Sequence, residues 1–559
     1  PVSVSLMVRV PLVAMWPATT ATSSVTSPVV VPPITAASSY NPGVAASQNS
    51  AGMAAYNNHA GLGRNELAGN GTMLGTSLGP AHGAGHAMGG ASNGMGGDLF
   101  ALVHDGGRVH CLNSSGRAGS GANAAALRTD GHTSMPFRHD IRTVTVPGCV
   151  DGWFALHQRF GTLPMAVLLE PAIRLASEGF PASPLLVGAA AQVDERGSST
   201  LGHLLSQALR PGARVRRPGV ARALSAIAEG GRDAFYLGEF GEGLKALGGD
   251  LYSDDDLRHR PDWVTPLRSS AWGVDLWTVP PNSQGYLLLG SAALASKLDL
   301  PADPDDPQWA HLLIEAAIAA GHDRPGALHA GADGEALLAD IAQRGHLIDT
   351  GKASRRDVHS ADGDTTYLCV TDGEGTGVSL IQSNASGFGS WLVEPNTGIN
   401  LHNRGLGFSL APGHPAELAP GVRPPHTLSP ALATRGSELA SVFGTMGGDG
   451  QPQILLQIAA RLFHHGQSPA QAQQAGRWVL RGPVTAFDTW TAPEGPVVMV
   501  EGNAPTDWVD ALSVRGHRAV HSPPFDSAFG HANMIIRDEE GFWSSGADPR
   551  ARVGSAAGA

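Results

Sequence analysis

The sequence predicts an α+β chain in which β-sheets stack in layers under helices, and three observations predict it. Strand-like runs come in pairs joined by glycine turns. Longer segments carry apolar residues at helical spacing. Strand runs and helices also follow one another in blocks, the order that layered sheets covered by helices require. Of the 559 residues 42% are hydrophobic, enough for one very large core or several ordinary ones.

Residues 1–91 are rich in Ala, Gly, Ser, Thr, Asn and Pro, with almost no charge and no sustained period, so they receive no fold. From Asp98 the pattern becomes orderly. Leu99 to His104 and Arg108 to Leu112 flank Asp105-Gly106-Gly107, a hairpin signal. Trp153 to Phe160 and Pro164 to Glu178 read as helices, the second with Pro at its start and Gly179 where a C-terminal cap belongs. Residues 181–350 alternate helical segments, such as Trp309 to Ala320 and Gly334 to Arg344, with short apolar stretches. Then strands return: Thr365 to Asp372, a turn at Gly373 to Gly377, and Val378 to Ser383. Further strands are expected at Gly398 to His402, Leu439 to Gly444, Pro496 to Glu501 and Asn533 to Arg537. Pro452 to His465 carries apolar residues at helical spacing and closes at Gly466.

Several function classes drop out on composition. A net charge of -12 without a Lys/Arg cluster offers no footprint for nucleic acid or an anionic membrane surface. No apolar run is long enough to span a bilayer. Cys111, Cys149 and Cys369 are far apart, so neither a disulfide framework nor a structural zinc site is indicated. His82 with His86 and His464 with His465 lack a third ligand at credible spacing, so no metal is expected there. Val2 to Val13 is apolar but lacks a clean charged start and is interrupted by Pro11, a poor signal peptide; the location stays unspecified.

The segment Gly363-Asp364-Thr365-Thr366-Tyr367-Leu368-Cys369-Val370-Thr371-Asp372 resembles the start of the small subunit of gamma-glutamyltransferases, with Thr365 at the nucleophile position. The likeness continues through Gly398 to Asn403, Phe408-Ser409, Arg423-Pro424, Leu428-Ser429-Pro430 and Gly447-Gly448-Asp449. Upstream, Ser92 to Asp98, Val146 to Trp153 and Pro280 to Gly285 have the family's look, as do Phe529 to Ala532 and Ala547 to Arg550 near the end. The match spans roughly 92–559.

The resemblance implies the N-terminal-nucleophile hydrolase fold, a four-layer αββα sandwich. It further implies self-cleavage between Asp364 and Thr365 into a large fragment, 92–364, and a small one, 365–559, which remain partners. The implied reaction moves an acyl group from an amide to Thr365 and then to water or an amine, on γ-glutamyl compounds such as glutathione, with no cofactor. A threonine hydroxyl needs a base, and the freed α-amino group, with a reference pKa near ~8, supplies one. Ser383 takes the place of a threonine that supports the nucleophile; an exposed strand serine is the alternative. Gly447 and Gly448 correspond to the oxyanion hole, or else form a strand-to-helix turn.

Departures from the family's pattern bear on specificity. Ala385 replaces an asparagine, Arg404 a glutamine or glutamate, Gly407 an aspartate that meets the substrate's α-amino group, and His426-Thr427 a pair of carboxylate-binding serines. Arg404 and His426 suit an anionic substrate, unless Arg404 points to solvent. Arg117 stands near the position of a carboxylate-binding arginine. The short stretch between Phe408 and Arg423 leaves no room for a lid. This pattern is closer to the family's acylase-like branch, which includes cephalosporin acylases acting on glutaryl amides; a catalytically silent scaffold is the rival. Residues 1–91 lack the family's opening helix, as a frame-shifted reading or a divergent N-terminus would.

Overall fold

The polypeptide from Asp98 to Ser114 sets the pattern for the whole molecule. Leu99, Ala101 and Val103 face one way and Phe100 and Leu102 the other, all completely buried. A strand covered on both faces needs no polar alternation, which is why this run is continuously apolar. At its end Gly106 and Gly107 both adopt positive φ, 54° and 79°, the geometry of the tight turn that matches strand twist.

The computed structural model describes residues 45–48, 93–354, 365–481, 496–551 and 555–558. All belong to one compact unit, Pro42–Ala559. Its two large sheets are built, in chain order, from β1 (Ala45–Gln48), β2 (Asp98–Asp105), β3 (Arg108–Ser114), β4 (Asp262–Val264), β5 (Leu267–Ala271), β6 (Val274–Thr278), β7 (Thr366–Thr371), β8 (Gly377–Ser383), β9 (Ala431–Arg435), β10 (Glu438–Thr445), β11 (Ala532–Arg537), β12 (Trp543–Ala547) and β13 (Ser555–Gly558). The first sheet runs β13-β1-β7-β8-β2-β3-β4 and the second β12-β11-β10-β9-β6-β5. Neighbours within each are antiparallel.

Three apolar clusters define the layers. Phe100, Leu102, Tyr367 and Ile381 of the first sheet meet Leu432, Val442 and Ile535 of the second, so the sheets pack face to face. Leu99, Ala101 and Leu380 turn outward onto α1 (Cys149–Phe160) and α2 (Pro218–Tyr236). On the far side Leu276, Ala431 and Phe443 lie against α3 (Tyr286–Ala295), α4 (Pro307–Gly321) and α5 (Gln451–Ala459). The result is the αββα sandwich that the resemblance implies. Each large apolar side chain enclosed this way contributes ~1.5–3 kcal/mol.

The hairpins 98–114 and 366–383 lie where the sequence puts them. The expected strand at Gly398 to His402 does not form: its backbone bonds back to residues 390–394, leaving only an isolated bridge between Val393 and Asn400. Pro496 to Glu501 is a strand, but in a separate three-stranded sheet. The helix from Pro452 turns π-helical over Ala460–His464, and His464 and His465 lie edge to face at 4.6 Å at its end. Residues 1–91, apart from β1, fall outside the described residues, as do the signal-peptide reading, His82, His86 and Asp364. No helix among the described residues is long and apolar enough to cross a membrane.

Candidate active site

Three adjacent strands of the first sheet bring the site together. Thr365 immediately precedes β7, Ser383 closes β8, and Asp98 opens β2, with Ser383 and Asp98 paired in register. Strand alternation turns Thr365 the same way as Tyr367 and Cys369, into the space between the sheets. Thr365 is only 4% exposed, and its Oγ1 lies 3.1 Å from Ser383 Oγ.

Ser383 Oγ is a junction. It accepts the Ala385 N–H at 2.8 Å and an Arg404 Nη2–H at 3.2 Å, two groups that can only donate. The Thr365 Oγ1–H donates to the same oxygen. Ala385 turns back to Ser383 through a positive φ of 74°, which costs a non-glycine residue ~1 kcal/mol or more. The alternative of an exposed strand serine is excluded, since Ser383 is fully buried.

Arg404 does not point to solvent. It is 2% exposed, in a short 3-10 turn, with Nη1 donating to Thr427 Oγ1 at 2.9 Å. Burial lowers its pKa to about 10, opposed by Asp98 and Asp449, so it stays charged at neutral pH. The Thr427 carbonyl accepts Gln284 Nε2 at 3.0 Å, and the same amide donates to the Gly448 carbonyl at 2.9 Å. One hydrogen-bond chain therefore connects Thr365, through Ser383, Arg404, Thr427 and Gln284, to Gly448. Gln284 lies inside the motif quoted above, but only the fold reveals its bridging part.

Gly447 and Gly448 have φ of 135° and 53°, and from Gly448 a 3-10 turn leads into α5, so both stand at a helix entrance. The strand that precedes them, β10, packs tightly on β7: a Cβ on Gly444 would lie 2.2 Å from the Tyr367 ring. Backbone N–H groups at such an entrance favour negative charge.

Asp98 anchors the floor. Its Oδ1 accepts the Gly116 and Gly148 N–H groups at 2.9 and 3.2 Å, and its Oδ2 accepts from His426 Nε2 at 3.1 Å. Burial alone would raise the carboxyl, but His402, His426 and Arg404 outweigh it and hold the pKa at about 2. His426 corrects an expectation. Its Nδ1 accepts the Leu428 N–H at 3.2 Å and burial, with Arg404, depresses its pKa to about 3, so it is a neutral spacer with both nitrogens engaged. It is not an anion-binding cation. His402, likewise buried and neutral, donates from Nε2 to the Thr145 carbonyl at 2.8 Å.

Arg117 also departs from expectation. Its guanidinium pairs with Asp262 at 3.1 Å and bonds the Gly421 carbonyl, outside the chain of contacts around Thr365. A substrate carboxylate would have to displace Asp262. Asn384, which the sequence gives no reason to single out beyond its place after Ser383, is fully buried with neither amide atom hydrogen-bonded. Residues 408–423 fold down without a lid: Phe408, Leu410 and Leu418 pack on Leu127 and Met135, and Glu417 pairs with Arg128 at 2.8 Å.

A family-wide sequence profile described as gamma-glutamyltranspeptidase matches residues 84–559. The chain belongs to the gamma-glutamyltranspeptidase family. It is 33% identical to the glutathione hydrolase-like YwrD proenzyme of Bacillus subtilis, over 82% of this chain and 89% of that one. It is 34% identical to an oxamate amidohydrolase proenzyme of Klebsiella pneumoniae, over 83% and 90%. Cephalosporin acylase from Bacillus halodurans superposes with a TM-score of 0.80 at 30% identity, covering 94% of this chain and 98% of that one. The protein is thus an amide hydrolase of this family, on the N-terminal-nucleophile hydrolase fold.

Proposed function

We propose that the protein hydrolyses amides whose acyl group carries a carboxylate but no α-amino group, through an acyl-enzyme on Thr365. Cleavage after Asp364 frees the Thr365 α-amino group. That group takes the Oγ1 proton as Oγ1 attacks the amide carbonyl, while Gly447 and Gly448 N–H groups stabilise the oxyanion. The amine leaves with the proton, and water then attacks the ester, regenerating Thr365 and releasing the acid. Ser383 steadies Oγ1 throughout.

The observation that carries the specificity is at Gly407. A Cβ there would sit 2.2 Å from the Pro425 carbonyl oxygen, so the aspartate that meets an α-ammonium in the family's pattern has no room. Beside Ser383 and Thr427 stands instead the buried charge of Arg404, which favours an anion. Relatives named as an oxamate amidohydrolase and as acylases support this reading. Those named glutathione hydrolase, such as one from Bacillus subtilis at 25% identity, favour γ-glutamyl substrates instead.

Glutaryl-p-nitroanilide and γ-glutamyl-p-nitroanilide differ only in the α-amino group, and their kcat/KM values decide between the readings. The glutaryl compound is expected to react at least ~10-fold faster, the discrimination one lost charged hydrogen bond confers. Faster γ-glutamyl turnover would overturn the proposal. An uncut chain inert to both would make the protein a silent scaffold.

A further inference from the structure

The outer helical layer holds a cluster of ligand-type side chains that the reaction does not use. His311 and Glu315 lie one turn apart on the same face of α4, and His517 follows the helix Trp508–Val514. All three are buried, Glu315 to 1% and His311 completely. His311 Nδ1 and His517 Nε2 are 2.8 Å apart, His517 Nε2 and Glu315 Oε1 3.9 Å, and the three ligand atoms lie within 4.8 Å of one another.

The groups behind these atoms orient them inward. His311 Nε2 is 2.9 Å from the Asp349 carbonyl, which can only accept, so Nε2 carries the proton and Nδ1 presents its lone pair to the cluster. Zinc-binding histidines are held by backing acceptors in this way. Both Glu315 oxygens accept the Ser354 N–H, at 3.1 and 3.2 Å. Tetrahedral zinc with bonds of ~2.0–2.1 Å separates its ligand atoms by ~3.4 Å, and the two observed distances bracket that value.

We propose that His311, Glu315 and His517 form a zinc site, water completing the coordination. His311 and Glu315 precede residue 364 and His517 follows it, so on the proposed cleavage the ion would join the two fragments. The backing groups, Asp349 and Ser354, belong to the stretch just before the cleavage point, which the ion would tie to α4. Zinc binding itself does not depend on cleavage.

The test loads chelator-stripped full-length protein with zinc, desalts it, and measures metal content and thermal unfolding. Wild type is expected to retain about one zinc per chain and to unfold at higher temperature with zinc than without. His517→Gln keeps a donor for His311 Nδ1 but loses the imidazole; Glu315→Gln keeps the shape and loses the charge. Each is expected to bind zinc more than ~10-fold more weakly and to show a smaller thermal shift. The uncut Thr365→Ala chain is expected to bind like wild type, which separates the site from the processing reading. Wild type that retains no zinc, or variants that bind as well as wild type, would show a plain hydrogen-bonded histidine pair and overturn the proposal.

Discussion

Arg404 donates to Ser383 Oγ at 3.2 Å, and through that one hydroxyl a fully buried positive charge acts on the oxygen of Thr365. Replacing Arg404 by Gln should lower kcat/KM by ~30-fold, about 2 kcal/mol, the worth of a hydrogen bond to a charged group. Arg404→Lys should recover only part, because an ammonium cannot span Ser383 and Thr427 as the planar fork does. Steady-state kinetics on the glutaryl substrate provides the measurement; a Gln variant as fast as wild type would remove Arg404 from the site.

Thr365→Ala should remain a single chain on a denaturing gel and turn over no substrate. Wild type should give two fragments, the smaller beginning at Thr365 by mass. In the processed enzyme kcat/KM should rise with pH through an apparent pKa near ~8, as the freed α-amino group loses its proton. A profile flat from pH 6 to 9 would point to another base.

Acid should destabilise the protein in two stages. The folded pKa of His426, about 3, lies below the ordinary 6.5, so as pH falls below 6.5 the unfolded chain binds the proton first and stability declines. While the folded site stays neutral the loss approaches ~1.4 kcal/mol per pH unit. Asp98, about 2 when folded against 3.8, contributes stability above 3.8 that disappears as pH falls through about 2. Urea midpoints between pH 7 and 4 test the first stage, and unchanged midpoints would contradict the neutral burial of His426.

Gly407→Asp restores the acid of the family's pattern but should not create a γ-glutamyl hydrolase. The new Cβ meets the Pro425 carbonyl at 2.2 Å, so a stability loss of ~1–3 kcal/mol is expected. A stable variant with raised γ-glutamyl activity would mean the loop yields easily, and would weaken the specificity argument.

Asn384 is a buried amide without a hydrogen bond, so replacing it with Ala should leave stability unchanged or raise it by ~1 kcal/mol. If the amide binds substrate, kcat/KM should fall ~10-fold in the same variant. Loss of stability with unchanged kinetics would assign Asn384 to structure alone.

Much of this was legible in the sequence because its cause is local. A continuously apolar run and the Gly106-Gly107 turn specify the first hairpin, and the residues around Thr365 and Ser383 carry their own signature. β5, β6 and β9 went unread because each is only five residues long; β5 and β6 pair as a hairpin across Trp272-Gly273, and only the fold brings β9 against β6. Partnership was equally hidden. His426 looks like a cation until Asp98, 328 residues away, takes its proton donor and burial keeps the ring neutral. Arg117 looks like a substrate ligand until Asp262 occupies it. Residue type and local period come from the chain itself, whereas the charge state and free valence of a buried group depend on what the fold brings against it.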